Sequence, residues 1–354
     1  MFGFSGKLRV LQCPYILDQN SRPEVTACLG SILLGRGYAA PQTLQALLQS
    51  WHSMFDLVKP DLVMFDYAPT PLIASKGYSF KKVLVGSGFA ELKPDLPCRV
   101  LLPWSVHAKR DAAQHESHVV DVINSILLPD TKPVKYISDL FNADLTLLTT
   151  LPELDHYQRD PDKTLYIKPD PHNQNFQRVA WKDKGKPKVF VYLKAQVQAT
   201  KSVIYALQNL NYDVICCCPD MTDKVRNRIS TENLRVFSQP VYAGELIETA
   251  DLVINHASKE LVYETLLAGA PQLVCPSQLE QTETSRMIEQ LGVGVTLPRA
   301  ASVEQTMYLI MSVIGNASFR QASQLIAGRY KNSTRLFSYS QVIRSVERLV
   351  HQAG

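Results

Sequence analysis

A regular alternation of short apolar runs and helical patterns between Lys188 and Leu297 constrains this chain more than any other feature. Lys188 to Leu193 reads as a buried strand in which Val189, Val191 and Leu193 alternate with Phe190 and Tyr192. Thr200 to Leu210 follows, with Val203, Ile204, Leu207 and Leu210 at helical spacing. Strand Asp213 to Cys218, a polar helix from Asp220 to Ser230 and strand Leu234 to Phe237 come next. Gly244 to Thr249, Leu252 to Asn255, Ser258 to Ala268, Gln272 to Cys275, Thr282 to Leu291 and Val293 to Leu297 continue the pattern. Such alternation predicts an α/β fold with a parallel, doubly wound sheet whose ligands sit at the carboxyl ends of the strands.

Beyond it, Ser302-Val303-Glu304-Gln305 is a capping box opening a helix with Met307, Ile310, Met311 and Ile314 on one face. A last helix carries Val342, Ile343, Val346, Leu349 and Val350 on one stripe. The first half predicts a strand from Leu8 to Cys13, a helix from Pro41 to Val58, strands at Leu62 to Phe65 and Lys82 to Val85, and a helix from Asp111 to Leu128. Pro161 to Lys188 is rich in Pro, Lys, Asp and Asn, the composition of a boundary. A chain of 354 residues has room for about two domains. The expected division is 1–160, a linker at 161–187, 188–336, and a terminal helix at 337–354.

Composition narrows the classes. Hydrophobic residues make up 45% and charged residues 20%, as in globular proteins. A net charge of +4 gives no case for nucleic acid, and Lys182, Lys184, Lys186 and Lys188 read as a solvated linker. No apolar run reaches the length of a membrane span. The seven cysteines show no CxxC pair, and Cys216-Cys217-Cys218 close an apolar run, so a reducing cytoplasm is expected.

Asp251 to Gln281 holds the densest chemistry. A buried strand feeds a turn at His256 and a helix bearing Glu264; Gly269-Ala270-Pro271 stops that helix, a second strand follows, and then Glu280-Gln281. A strand running into a helix N-terminus is where α/β proteins bind phosphates, because free backbone N–H groups point outward there. Alone, His256 reads as a capping or buried structural histidine rather than a ligand contact. Glu264, mid-helix among Leu261, Val262, Thr265 and Leu266, is oddly placed for a carboxylate unless something meets it.

The order and spacing of these residues resemble the donor-binding region of family 1 glycosyltransferases. His256, Glu264, Gly269, Pro271, Pro276 and Gln281 fall in register with that family, and Glu280 stands where it has Asp. Pro60 to Val63, Asp66 to Thr70, Gly86 to Phe89 and Thr150 to Asp155 resemble further family segments. The resemblance implies two facing Rossmann-like domains, the GT-B arrangement. It also implies transfer of a hexosyl group from a uridine or thymidine diphosphate sugar to a hydroxyl of a small-molecule or lipid acceptor, with no other cofactor. On it, His256 and the helix opening at Ser258 serve the diphosphate, Glu264 the ribose hydroxyls, and Glu280 and Gln281 the sugar. Ser238-Gln239-Pro240 lies where the family's backbone meets the base, although a plain turn fits Gln239 nearly as well. Asp66 would orient a catalytic histidine.

This chain departs from the family at two places. The glycine-rich turn reads His256-Ala257-Ser258-Lys259-Glu260-Leu261, which adds side chains and a carboxylate where a diphosphate would lie, with Lys259 and Lys194 as compensating cations. The family's first strand and its histidine loop have no counterpart, so the N-terminal domain is expected to be incomplete. An inactive relative that binds a nucleotide or a protein partner is the alternative, with an epimerase of the same fold as a third. No metal is expected: His115-Glu116-Ser117-His118 lacks the HExxH spacing and reads, with His107, as a solvated helix face. Gly86-Ser87-Gly88 by itself is weak support for a phosphate site. Tyr67 and Thr70 read as packing or capping residues.

Overall fold

The computed structural model describes residues 9–16, 26–103, 105–157, 159–168, 176–182, 185–331 and 333–351. Two compact units emerge. Unit 1 comprises Met1–Leu148, His156–Leu165 and Ile343–Gly354; unit 2 comprises Thr149–Asp155 and Tyr166–Val342.

In unit 1, helices α1 (Leu29–Leu33) and α2 (Pro41–Val58) precede strand β1 (Leu62–Asp66). Helix α3 (Pro69–Ala74), strand β2 (Lys81–Gly86), helix α4 (Val106–Ile126) and strand β3 (Leu145–Leu148) follow. Strand β4 (Thr164–Ile167) closes the series, in the order β1-β2-β3-β4 with β1, β2 and β3 parallel. Pro41 opens α2 at the position where a missing N–H costs nothing, and Lys59 ends it in the left-handed region at φ 48°. Ser105 caps α4 by accepting from the Ala108 amide at 3.2 Å, so this helix begins a turn and a half before the expected Asp111.

Two expectations change here. Residues 9–16 have no strand pairing, so the strand predicted over Leu8 to Cys13 is absent among the described residues. An apolar run makes a strand only where a neighbouring edge accepts its hydrogen bonds. Conversely β4 lies inside the stretch expected to be linker. Its last residues, Tyr166 and Ile167, pair in parallel with a short strand, Leu336–Phe337.

Unit 2 carries the predicted alternation in the predicted order, with element bounds within three residues of those expected. Its elements are β5 (Lys188–Tyr192), α5 (Gln198–Gln208), β6 (Asp213–Cys217), α6 (Asp223–Ile229), β7 (Leu234–Phe237) and α7 (Gly244–Thr249). They continue with β8 (Leu252–Asn255), α8 (Lys259–Ala268), β9 (Gln272–Val274), α9 (Leu279–Gln290) and β10 (Gly294–Thr296). Helices α10 (Val303–Gly315) and α11 (Ala317–Tyr330) and strand β11 (Leu336–Phe337) follow; the last helix, α12 (Tyr339–His351), belongs to unit 1 from Ile343 onward. The six-stranded sheet is parallel, in the order β10-β9-β8-β5-β6-β7. Val189, Val191, Val214, Ile215, Leu252, Val253 and Ile254 are fully buried, as expected for strands covered on both faces by crossover helices.

The capping box at Ser302 is formed in both directions: Gln305 N–H donates to Ser302 Oγ at 3.2 Å and Ser302 N–H to Gln305 Oε1 at 3.1 Å. Helix α8 ends at Gly269, whose φ of 73° favours glycine and where a Cβ would stand a tight 3.3 Å from the Gln324 Cα. From β5 the chain winds one way to β6 and β7, then returns to place β8, β9 and β10 on the other side. The strand order therefore reverses between β5 and β8, which puts the crevice for a ligand at their carboxyl ends.

Candidate functional site

At that crevice the turn from β8 into α8 is held by its own side chains. Asn255 is fully buried; its Oδ1 accepts from the Ala257 N–H at 2.6 Å and its Nδ2 donates to Gln272 Oε1 at 3.1 Å. The bent turn puts Ala257 in the left-handed region at φ 60°, a conformation usually left to glycine. The Cβ of Ala257 is nevertheless accommodated, 1% exposed in the core. Ser258 is the N-cap of α8, yet its hydroxyl makes no cap hydrogen bond.

His256 is buried and both ring nitrogens are engaged. Nε2 accepts from the Lys194 N–H at 2.5 Å, which fixes the proton on Nδ1, and Nδ1 donates to the Cys275 carbonyl at 3.2 Å. The imidazole thus ties the ends of β5 and β9 to β8. Burial pushes its pKa down, opposed by the Cys275 carbonyl. In this tautomer the ring offers a phosphate no donor.

A cavity of about 360 Å³ opens beside the turn, lined by Phe176, Phe190, Tyr192, Pro240, Val241, Ala243, Ser258, Glu260, Leu261 and Glu264. Three aromatic rings and a proline supply flat apolar walls. Glu264, half-buried, supplies a carboxylate one turn into α8. Burial raises the pKa of Glu264, and the Glu260 charge raises it further. Gln239 is exposed, immediately before the lining residue Pro240.

Glu280 and Lys259 meet: the Lys259 Nζ lies 3.9 Å from Glu280 Oε1, with the lysine side chain 7% exposed. Gln281 folds back on its own helix start. Its Oε1 accepts from the Ser277 N–H at 2.8 Å, the Ser277 hydroxyl at 3.0 Å and the Gln278 N–H at 3.2 Å, which caps α9. The structure therefore gathers Ser258, Glu260 and Glu264 around one cavity, pairs Lys259 with Glu280, and gives His256 and Gln281 internal partners.

No family model matches the chain. Over 61 residues it is 40% identical to NDP-glycosyltransferase YjiC of Bacillus subtilis (strain 168); that stretch spans 17% of this chain and 16% of the relative. The glycotransferase of kitacinnamycin superposes with a TM-score of 0.66 at 14% identity, over 93% of this chain and 85% of that one. Spinosyn rhamnosyltransferase SpnG gives 0.60 at 16% identity, over 88% and 79%. VinC, solved in complex with dTDP, gives 0.60 at 14% identity, over 89% and 82%. The chain has the GT-B fold. SpnG has also been solved with thymidine diphosphate and with spinosyn aglycone.

In the unit 1 part of this GT-B fold, Asp66 is exposed at the end of β1, next to Tyr67, which sits at φ 40°. Thr70 pairs with the buried Tyr38 hydroxyl at 2.8 Å. The Gly86-Ser87-Gly88 turn cradles a carboxylate of its own chain: Gly88 N–H donates to Glu91 Oε2 at 2.8 Å, and a Cβ at Gly86 would stand 2.0 Å from Glu91 Oε1. The solvated face expected here holds at His107, Ser117 and His118, which are exposed, and is corrected at His115 and Glu116. Glu116 is 7% exposed and accepts from the Cys98 N–H at 2.8 Å and the Ile137 N–H at 3.1 Å, while His115 Nδ1 lies 2.8 Å from Ser31 Oγ. Two loops fold over this part of α4, and the carboxylate satisfies amides that water would otherwise reach. Among the described residues no cluster of His, Cys, Asp and Glu could hold a metal, and no helix is long and apolar enough to cross a membrane.

Phe176, Val241 and Ala243 are lining residues the sequence did not flag, and Phe190 and Tyr192 read in it only as strand residues. Tyr192 carried one signal, its place at the carboxyl end of a predicted strand. Phe176 lies in a polar stretch and carried none.

Proposed function

We propose that this protein is a family 1-type glycosyltransferase that moves a hexosyl group from a nucleotide diphosphate sugar to a hydroxyl of a small-molecule acceptor. One observation carries the reading: the aromatic-walled cavity at the strand reversal of a GT-B fold, with the half-buried Glu264 in its lining. Flat walls at Phe176, Tyr192 and Pro240 suit a nucleobase, and a carboxylate suits a pair of ribose hydroxyls. Thymidine diphosphate is the first nucleotide to try, because SpnG and VinC have been solved with it. The aglycone bound to SpnG supports a small-molecule acceptor. Likeness to transferases favours group transfer over a purely binding role.

In the reaction the acceptor hydroxyl loses its proton to a base as its oxygen attacks the anomeric carbon, and the nucleotide diphosphate departs with the electron pair of the broken C–O bond. Asp66 is the proposed positioning residue on the acceptor side. Lys259 and Glu280, held together, are proposed to face the sugar. The cytoplasm is the proposed compartment, consistent with seven free cysteines of which six are buried.

The test is calorimetric titration with thymidine and uridine diphosphates and their glucose conjugates, followed by a product assay against a panel of aglycones. Micromolar binding that falls at least tenfold in Glu264→Ala, together with nucleotide release in the presence of an acceptor, supports the reading. Absence of binding by every nucleotide refutes it.

A further inference from the structure

We infer that Glu260 sets the charge selectivity of the cavity, admitting the nucleoside part of a ligand and opposing each added phosphate. The inference rests on the proposed role of this cavity as the nucleoside site. Glu260 is the second residue of α8, exposed, and lines the cavity beside Ser258 and Glu264. A phosphate approaching the start of α8 from the cavity would meet that carboxylate.

The charges around the cavity do not offset it. Glu264 lines the same walls. Tyr192, also in the lining, has its pKa raised chiefly by burial, and Asp220 and Glu260 are among the groups that raise it further. Asp220 Oδ1 accepts from the Ala195 N–H at 2.8 Å. Of the nearby cations, Lys259 is buried against Glu280. Lys194 engages His256 through its backbone, and its side chain is exposed to solvent. The turn amide of Ala257, a donor that could otherwise face a phosphate, is already bonded to Asn255 Oδ1. The cavity is therefore apolar on its walls and anionic at its mouth.

Its polarity opposes that of an anion site at a bare helix N-terminus. At about 4 Å and with the full screening of bulk water, one carboxylate facing one added phosphate charge changes affinity by roughly fivefold. Salt weakens that effect.

The experiment is calorimetric titration of the full chain with thymidine, thymidine monophosphate and thymidine diphosphate, in the native protein and in Glu260→Gln and Glu264→Gln. In the native protein the diphosphate is expected to bind no more than about threefold tighter than thymidine. Glu260→Gln should tighten the diphosphate by roughly tenfold, leave thymidine within about twofold, and lose most of that gain in high salt. Glu260 is exposed, so unchanged circular dichroism and thermal melting serve as the folding control. Native protein that binds the diphosphate more than about tenfold tighter than thymidine, with no change in Glu260→Gln, overturns the inference. In that case a loss of all three ligands in Glu264→Gln leaves the nucleoside reading of the cavity standing. No binding of any of the three by native protein or variants removes both.

Discussion

Replacing His256 by alanine separates a structural histidine from a ligand-binding one. The side chain is 5% exposed, and it receives a hydrogen bond from Lys194 N–H and gives one to the Cys275 carbonyl. Each hydrogen bond contributes about 0.5–1.5 kcal/mol net. Removing a buried ring leaves a cavity that adds about 1–2 kcal/mol after partial collapse. The sum is a loss of about 2–5 kcal/mol. In urea, with an m-value of about 2 kcal/mol/M, the transition of unit 2 should move down by about 1–2.5 M.

The pH dependence gives a second readout. Burial holds the His256 pKa below its ordinary 6.5, so the unfolded chain binds the proton more readily than the folded one. Its neutral form is fully favoured above about pH 6.5, and stability falls as pH drops through that value and below. His256→Ala should lose that part of the acid sensitivity. Urea unfolding at pH 7.5 and pH 5.5, followed by circular dichroism, measures both effects. Equal midpoints for the two proteins at pH 7.5, with nucleotide affinity lost in the variant, would refute the internal tie and place a ligand on Nε2.

Glu264 should behave in the opposite sense. Its folded pKa is raised above 4.5, so stability declines as pH rises from that value through the folded one. Glu264→Gln is expected to melt higher than native protein at pH 7 and at the same temperature near pH 4, as scanning calorimetry would record. Glu116→Ala removes a buried acceptor from two amides and should cost about 2–4 kcal/mol in urea unfolding, with nucleotide affinity unchanged. Ala257→Gly relieves a left-handed alanine, worth about 1–2 kcal/mol, but loses about 0.8 kcal/mol of methyl burial and about 0.5–1 kcal/mol to a freer unfolded chain. The expected change is under about 1 kcal/mol in either direction; a larger shift in the urea midpoint would show that the turn is rebuilt.

Where sequence and structure part company, the cause is pairing at a distance. Leu8 to Cys13 has the apolar content of a strand, yet residues 9–16 have no strand pairing. Thr164–Ile167 is short and lies in a polar stretch, but becomes a strand because Thr146 N–H donates to Lys163 O and Leu336–Phe337 pairs with its end. Glu116 looked solvated because its helix neighbours are polar. Its burial comes from Cys98 and Ile137, which no helical periodicity could connect to it.

The sequence by itself determined the parallel architecture of unit 2 and the bounds of most of its elements. Those depend on local signals: apolar runs of strand length, helical spacing, the Ser302 capping box and the Gly269 stop. Tertiary structure alone decided the reversal of strand order between β5 and β8, because backbone pairing, unlike periodicity, is non-local. It decided that His256 spends both nitrogens on its neighbours, and that Phe176, Tyr192 and Pro240 become walls of one cavity with Glu260 and Glu264. A side chain's chemistry is written in its residue type; what that side chain faces is set only when distant segments pack.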